Sequence, residues 1–381
     1  MRRSLTPLLA ALVLVAVPAF AADHPLLPLG SPLPDFRLPG VDGRDYTPAD
    51  FAGAKVLAVV FTSNHCPTAQ AYEGRLKRIA ADYRGRGVAI VAINPNHADA
   101  VRLDEMAYTD LGDTFEDMQE RARHQEFNFP YLDDGPGQEV VQKFGAVATP
   151  HVFVFDADRK LRFQGRIDNS EREDLATQHD ARDAIEALLA GREPAVTATR
   201  VFGCSIKWKE KTADNERWRA RVAKEPAKLE LADADALRAL RANADSGKLR
   251  LVNVWATWCG PCVSEFPELV EHNLRFRIRG FEMVTLAAQF PDEQPKVLKF
   301  LQDHAASSRN LMFGTKDKYA LIEAFDPEWN GELPYTLLIA PGGKVLYRES
   351  GSINFLALRR VLVPALDELT PWQNRDRTYE R

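Results

Sequence analysis

The sequence predicts an α/β protein made of two similar units in tandem, and three observations carry that expectation. The chain has 381 residues, more than one ordinary core organises, so about two domains are expected. In both halves, apolar β-branched runs alternate with stretches of helical spacing, as when parallel strands are joined by helices. Each half also runs a strand into a cysteine at a helix start, then closes on a proline and an apolar hairpin. Pro150 lies 84 residues after Cys66, and Pro334 lies 72 after Cys262.

The elements follow in order. A lead-in with Pro25, Pro28, Pro32, Pro34 and Pro39 cannot hold a helix and reads as extended chain. "VLAVVF" (56–61) is a buried strand, and residues 68–85 show helical spacing through Ala71, Leu76, Ile79 and Tyr83 before Gly85. "VAIVAIN" (88–94) is the next strand and 113–125 the next helix, followed by a strand, turn and strand within 148–167. In the second half, 249–255 is a strand running into a helix at Cys259, and 281–288 is a strand. Residues 295–305 are helical, and 333–351 form a hairpin turning at Gly342-Gly343. Between the halves, 207–229 is dense in charge, but Glu210, Asp214, Glu216 and Glu225 interleave with the bases. That pattern favours a solvated linker helix over a nucleic-acid or membrane patch.

Composition narrows the class. Hydrophobic residues make up 45% and charged residues 27%, ordinary for a folded soluble protein, and a net charge of −5 gives no cation excess for nucleic acid. "MRRSLTPLLAALVLVAVPAFAA" reads as a cleaved secretory signal, residues 1–21, cut after Ala21. Its apolar run contains Pro7 and falls short of the ~20 residues a spanning helix needs. The mature protein is therefore expected to be periplasmic or otherwise secreted, without a membrane span. The remaining divisions are 22–205, a linker 206–229, and 230–381. Four cysteines (Cys66, Cys204, Cys259, Cys262) are too few for a disulfide framework in so long a chain, so their placement points to chemistry.

"TWCGPC" places Cys259 where a helix begins. There a thiolate meets unpaired N–H groups and the positive end of the helix dipole, which lowers its pKa and makes it the nucleophile. Cys262, one turn on, is placed to attack the mixed disulfide and release the product, leaving a Cys259–Cys262 disulfide. Trp258, Gly260 and Pro261 complete the motif, with Pro261 suited to a first turn. A zinc site needs further ligands at suitable spacing. None is present, and His272 alone is expected at the surface.

"VNVWATWCGPCVSEFPEL" resembles the TlpA/ResA-type branch of the thioredoxin superfamily over roughly residues 230–365. The resemblance implies that Glu265 manages protons near the site and that Leu333-Pro334 is a cis bond whose backbone edge docks substrate. It also implies that electrons come from a membrane thiol carrier of the DsbD kind. Asn253 stands where cytosolic relatives carry an Asp.

In the first half, Gly30, Pro34 and Phe36 with Cys66-Pro67 resemble the redoxin group that includes the AhpC/TSA peroxiredoxins, over residues 30–190. Ser63, three residues before Cys66, reads either as a lost C-x-x-C cysteine or as the hydroxyl of a peroxiredoxin S/T-x-x-C. Val59 and Thr149-Pro150 depart from the peroxidase pattern. Peroxiredoxins place an arginine before the later strand to polarise the peroxide, this chain has Thr149-Pro150 there, and losing such a cation costs about a hundredfold or more. His65 could lower the pKa of Cys66 when protonated, or be an ordinary solvated residue. Cys204 is either a packed cysteine or the resolving partner of Cys66.

The expected fold is thus two thioredoxin-like units, each a central mixed β-sheet flanked by helices. The expected activity is exported thiol–disulfide exchange through Cys259 and Cys262, with Cys66 and Cys204 as a second redox site. No metal or organic cofactor is called for. Two alternatives stand: an antioxidant, peroxiredoxin-like thiol peroxidase acting on a hydroperoxide and fused to its reductant, and a first domain that only binds disulfide-containing clients.

Overall fold

The computed structural model describes residues 24–244, 246–373 and 376–379. The signal-like segment 1–21 lies outside the described residues. The chain opens with a minimal hairpin, β1 (Leu38–Pro39) and β2 (Asp45–Tyr46), and then enters β3 (Val56–Phe61). There follow α1 (Pro67–Asp82), β4 (Val88–Asn94), α2 (Phe115–His124), β5 (Tyr131–Asp133) and α3 (Glu139–Phe144). Next come β6 (Ala148–Thr149), β7 (His151–Phe155), β8 (Leu161–Gly165), α4 (Asp180–Leu189) and β9 (Cys204–Ser205). The strands order as β5-β4-β3-β7-β8, with β3, β4 and β5 parallel and the β7–β8 hairpin antiparallel. Because strand side chains alternate, Val56, Ala58 and Val60 enter the core on one face, while Leu57, Val59 and Phe61 enter the core on the other. A strand buried on both faces must read as a continuous apolar run, as β3 does.

The charged stretch forms α5 (Thr212–Val222), but it is not the solvated linker its charges suggest. Asn215, Trp218 and Val222 are buried on one face, the latter two against Leu103 and Leu274. Two apolar residues one helical turn apart were enough to seat it.

The second half runs β10 (Glu230–Ala232), α6 (Ala234–Ala242), β11 (Leu249–Trp255), α7 (Gly260–Phe276), β12 (Phe281–Ala287) and α8 (Gln294–Asp303). It ends with β13 (Arg309–Phe313), α9 (Lys318–Phe325), β14 (Tyr335–Ile339), β15 (Val345–Ser350) and α10 (Phe355–Leu369). The sheet order is β10-β13-β12-β11-β14-β15, again parallel except for a closing antiparallel hairpin. Leu249, Leu251 and Trp255 pack on one face of β11, and Val252 and Val254 on the other. Each fully buried aliphatic contributes roughly 1.5–3 kcal/mol. Both halves are thus mixed sheets flanked by helices, repeated in tandem. No described helix is long and apolar enough to cross a membrane.

The halves are joined through a loop of the first. Residues Leu103–Met106 form a 3-10 turn, and Ala107 is buried in the second half's core beside such residues as Phe276 and Leu366. The chain end then returns to the first half. Tyr379 donates its backbone N–H to Asn169 O at 2.8 Å and stacks on Phe202 with ring centroids 3.8 Å apart.

Candidate active site

At the N-cap of α7, the Cys259 sulfur accepts the backbone N–H of Cys262 at 3.3 Å, and the two cysteines are disulfide-bonded. Cys262 is fully buried and Cys259 nearly so, while Trp258 stands 64% exposed beside them. Pro261 fits the first turn because its missing N–H has no partner to lose there. The Leu333–Pro334 bond is cis. Glu265 is buried one turn beyond Cys262, accepting from Asn253 Nδ2 at 3.2 Å and from the Ile353 N–H at 3.0 Å. Burial raises its pKa, and those hydrogen bonds offset only part of the effect. His272, expected at the surface, is buried instead, its Nδ1 2.8 Å from Glu268 O, and burial pushes its pKa down to about 3.

The first half repeats this geometry. Thr149–Pro150 is also cis. His151, just after it, pairs with Phe61, as Tyr335, just after Pro334, pairs with Val254. Five residues beyond each of those strand positions stand Cys66 and Cys259. Cys66 is likewise an N-cap, its sulfur accepting the Ala69 N–H at 3.3 Å. The structure therefore corrects one sequence expectation. Cys66 occupies the position of Cys259, and the absent second cysteine belongs at Ala69, not at Ser63. Ser63 is buried with its Oγ 3.1 Å from Thr149 Oγ1.

Cys204 is the thiol that the fold brings near Cys66. Its two-residue strand pairs antiparallel with β6, placing Cys204 opposite Thr149, whose carbonyl accepts the Cys66 S–H at 3.2 Å. Both thiols are free, and the pairing of β9 with β6 brings Cys204 near Cys66, close enough for each to shift the other's titration. Gly203 makes the approach feasible: its φ is +141°, and a Cβ there would lie 2.1 Å from Thr149 O.

His65 is not solvated. It is 2% exposed, with Nδ1 2.5 Å from Asp113 Oδ2. Asp113 also accepts the backbone N–H groups of Asn64 (2.8 Å) and His65 (3.2 Å) and the Asn96 amide (2.9 Å). Burial disfavours the imidazolium, but the Asp113 carboxylate outweighs it, so His65 titrates above its ordinary value. For Cys66, burial pushes the thiol up. The Cys204 hydrogen bond, the His65 charge and the Ala69 N–H overcome that and bring it down to about 6. Cys204 moves the other way, its pKa raised by the neighbouring Cys66 and by burial. A low thiol pKa is what a nucleophile and leaving group in disulfide exchange needs. Asp113 had no signal in the sequence, because it lies 47 residues from Cys66 in a loop without motif. Among the described residues, no cluster of side chains is arranged to hold a metal ion.

Comparison with known proteins agrees with this repetition. The AhpC/TSA family profile matches residues 29–164, and the Redoxin profile matches residues 226–358. The chain belongs to the thioredoxin superfamily, as a tandem of two such domains. It is 28% identical to the thiol:disulfide interchange protein CycY of Rhizobium leguminosarum over 44% of this chain and 90% of that protein. It is 29% identical to the thiol-disulfide oxidoreductase ResA of Bacillus subtilis over 28% of this chain. For ResA and the DsbE homolog of Paracoccus denitrificans, the match spans about half of the relative's length, 55% and 52%. A solved structure of a hypothetical protein from Sinorhizobium meliloti is 34% identical over 49% of this chain and 97% of its own, with a TM-score of 0.43.

Proposed function

We propose that the protein is an exported thiol–disulfide oxidoreductase with two dithiol sites, Cys259/Cys262 and Cys66/Cys204. The observation that carries this reading is the repeated N-cap cysteine beside a cis-proline, each with a second sulfur within reach. The Cys259 thiolate attacks a client disulfide, forming one S–S bond and expelling a client thiolate. Cys262 then attacks Cys259, releasing the second client thiol and closing the Cys259–Cys262 disulfide. Two electrons pass to the client, and an outside dithiol, of the kind a membrane thiol carrier presents, restores the site. The N-terminal segment, with its basic start and apolar run, supports export to the periplasm.

The first domain accepts electrons from the second. A disulfide whose reduced form is stabilised by a low-pKa thiolate is the more oxidising one, and Cys66 is held near 6. A dithiol at Cys259/Cys262 reduces a Cys66–Cys204 disulfide if the Cys66 site is the more oxidising of the two, which equilibration of the two pairs in one redox buffer measures. The edge beside Pro150 is taken by Cys204–Ser205, which argues against that groove as a platform for clients.

A peroxidase reading of the first domain has one observation in its favour: the buried, charge-stabilised His65 supplies a cation where the usual arginine is missing. Cys66 sulfur would bond to a peroxide oxygen as the O–O bond breaks and the leaving oxygen takes a proton. The Cys204 thiol would then close the disulfide, with loss of water. Peroxide consumption at the expense of a dithiol, lost in Cys66→Ser alone, would establish it.

The main reading is tested with a disulfide-bonded protein client. Cys262→Ser should accumulate mixed disulfides and Cys259→Ser none; clients captured equally by both variants would contradict the assigned order of attack.

A further inference from the structure

We infer that the second domain tunes the Cys66 site through the loop 103–113, with Arg275, Arg279 and Arg359 as positioning residues for Asp113 and His65. This rests on the reading of Cys66 as an activated thiol. The loop is gripped on one side by the second domain. Arg275 donates to Met106 O (2.9 Å) and Thr109 O (2.5 Å), Arg279 to Ala107 O (3.0 Å), and Arg359 to Asp110 O (2.7 Å). Arg360 adds a contact to the Asp110 carboxylate at 3.3 Å.

The other side of the same loop builds the Cys66 turn. Gly112 O accepts the Asn64 amide at 2.8 Å, and Tyr108 O accepts the Gln70 amide, which also bonds Asn64 O at 2.7 Å. Asp113, the last residue of the loop, holds the backbone of Asn64 and His65 and the ring of His65. Carbonyls facing the arginines and groups facing the cysteine thus alternate along one short segment. A buried carbonyl that loses its charged donor loses about twice the strength of a neutral hydrogen bond, so removing one arginine lets the segment shift. His65–Asp113 geometry is the nearest thing to respond.

The charged and titratable groups that act on this site include Asp113, Cys66 and Lys207 on His65, Cys204 and His65 on Cys66, and Cys66, Lys207 and Glu171 on Cys204. Lys207 is itself paired with Glu105, 2.6 Å away in the same loop.

The test uses the full chain with Cys259→Ser and Cys262→Ser, so that Cys66 and Cys204 are the only thiols, kept reduced. Thiolate absorbance near 240 nm is followed against pH. The parent should titrate near pH 6, and Asp113→Asn should set the largest upward shift. Arg275→Met should raise the midpoint by about one unit, a roughly tenfold loss of thiolate at low pH. Arg275→Lys, which can still donate to one carbonyl, should fall between. Arg359→Gln, on a different helix and partly exposed, should shift it the same way and serves if Arg275→Met does not fold. In the chain with all its cysteines, client reduction through Cys259/Cys262 should be unchanged by either substitution. A parent midpoint near pH 6 that neither arginine variant moves overturns the inference and leaves Cys66 activated. A parent midpoint near the ~8.5 of an ordinary thiol overturns the reading of Cys66 itself, and the inference with it.

Discussion

At the scale of single residues, the chemistry was only partly legible. The two cysteines of "TWCGPC" announce themselves, because thiols three residues apart at a helix start have few other uses. Cys66 was visible as a candidate, but the groups that set its character were not. Asp113 reaches His65 from a loop, and no periodicity links the two positions. The surface assignment of His272 failed for a related reason, since a lone histidine carries no pattern and its burial is decided by neighbours on α10 such as Phe355. The depressed pKa has a thermodynamic consequence. A thiol near 8.5 in the unfolded chain and about 6 in the folded one adds stability that is complete above the unfolded value. That stability is lost as pH falls toward and through about 6. His65, raised, contributes in the opposite sense, chiefly below its unfolded value near 6.5. Thermal melts of the reduced chain and of Cys66→Ala should therefore differ in slope between about pH 8.5 and 6, the reduced wild type losing more stability on acidification. Parallel pH profiles would contradict a folded thiolate at Cys66.

At the scale of elements, the strands and helices around both sites were legible because β3 and β11 are buried on both faces and must read as unbroken apolar runs. What the sequence could not give was alignment between the halves. Counting back from Cys66 suggested Ser63 as the missing thiol, whereas strand register puts the vacancy at Ala69, across the first turn of α1. The turn geometry decides this, because only the residue whose N–H meets the sulfur stands one turn inside the helix. The return of Cys204 was open for the same reason: pairing of two-residue strands leaves no pattern to read. Gly203 is the weak point of that return. Gly203→Val would force a side chain into Thr149 O at a φ that L residues rarely adopt. It should push β9 off β6, abolish any Cys66–Cys204 disulfide, and destabilise the first domain by about 1–3 kcal/mol. Denaturant unfolding with thiol counting checks both effects. An unchanged disulfide yield in Gly203→Val would show that the strand pairing does not place Cys204.

At the scale of the whole molecule, the tandem is more than two domains on a tether. Helix α5 is seated by Trp218, the loop 103–113 enters the second domain's core at Ala107, and the tail returns to Phe202. Alternating charge along 207–229 suggested a solvated connection, since charge pattern reports the exposed face and says little about two buried apolar residues. The tail bears on the same segment as the proposed second redox site, because Phe202 lies two residues before Cys204. The central claim is that the chain carries two dithiol sites, the first completed from outside its helix. Its most direct test is peptide mapping of the full chain by mass spectrometry after mild oxidation, without reduction. The account predicts two cross-linked species, Cys259–Cys262 and Cys66–Cys204; a closed Cys259–Cys262 disulfide beside free thiols at Cys66 and Cys204 would contradict it.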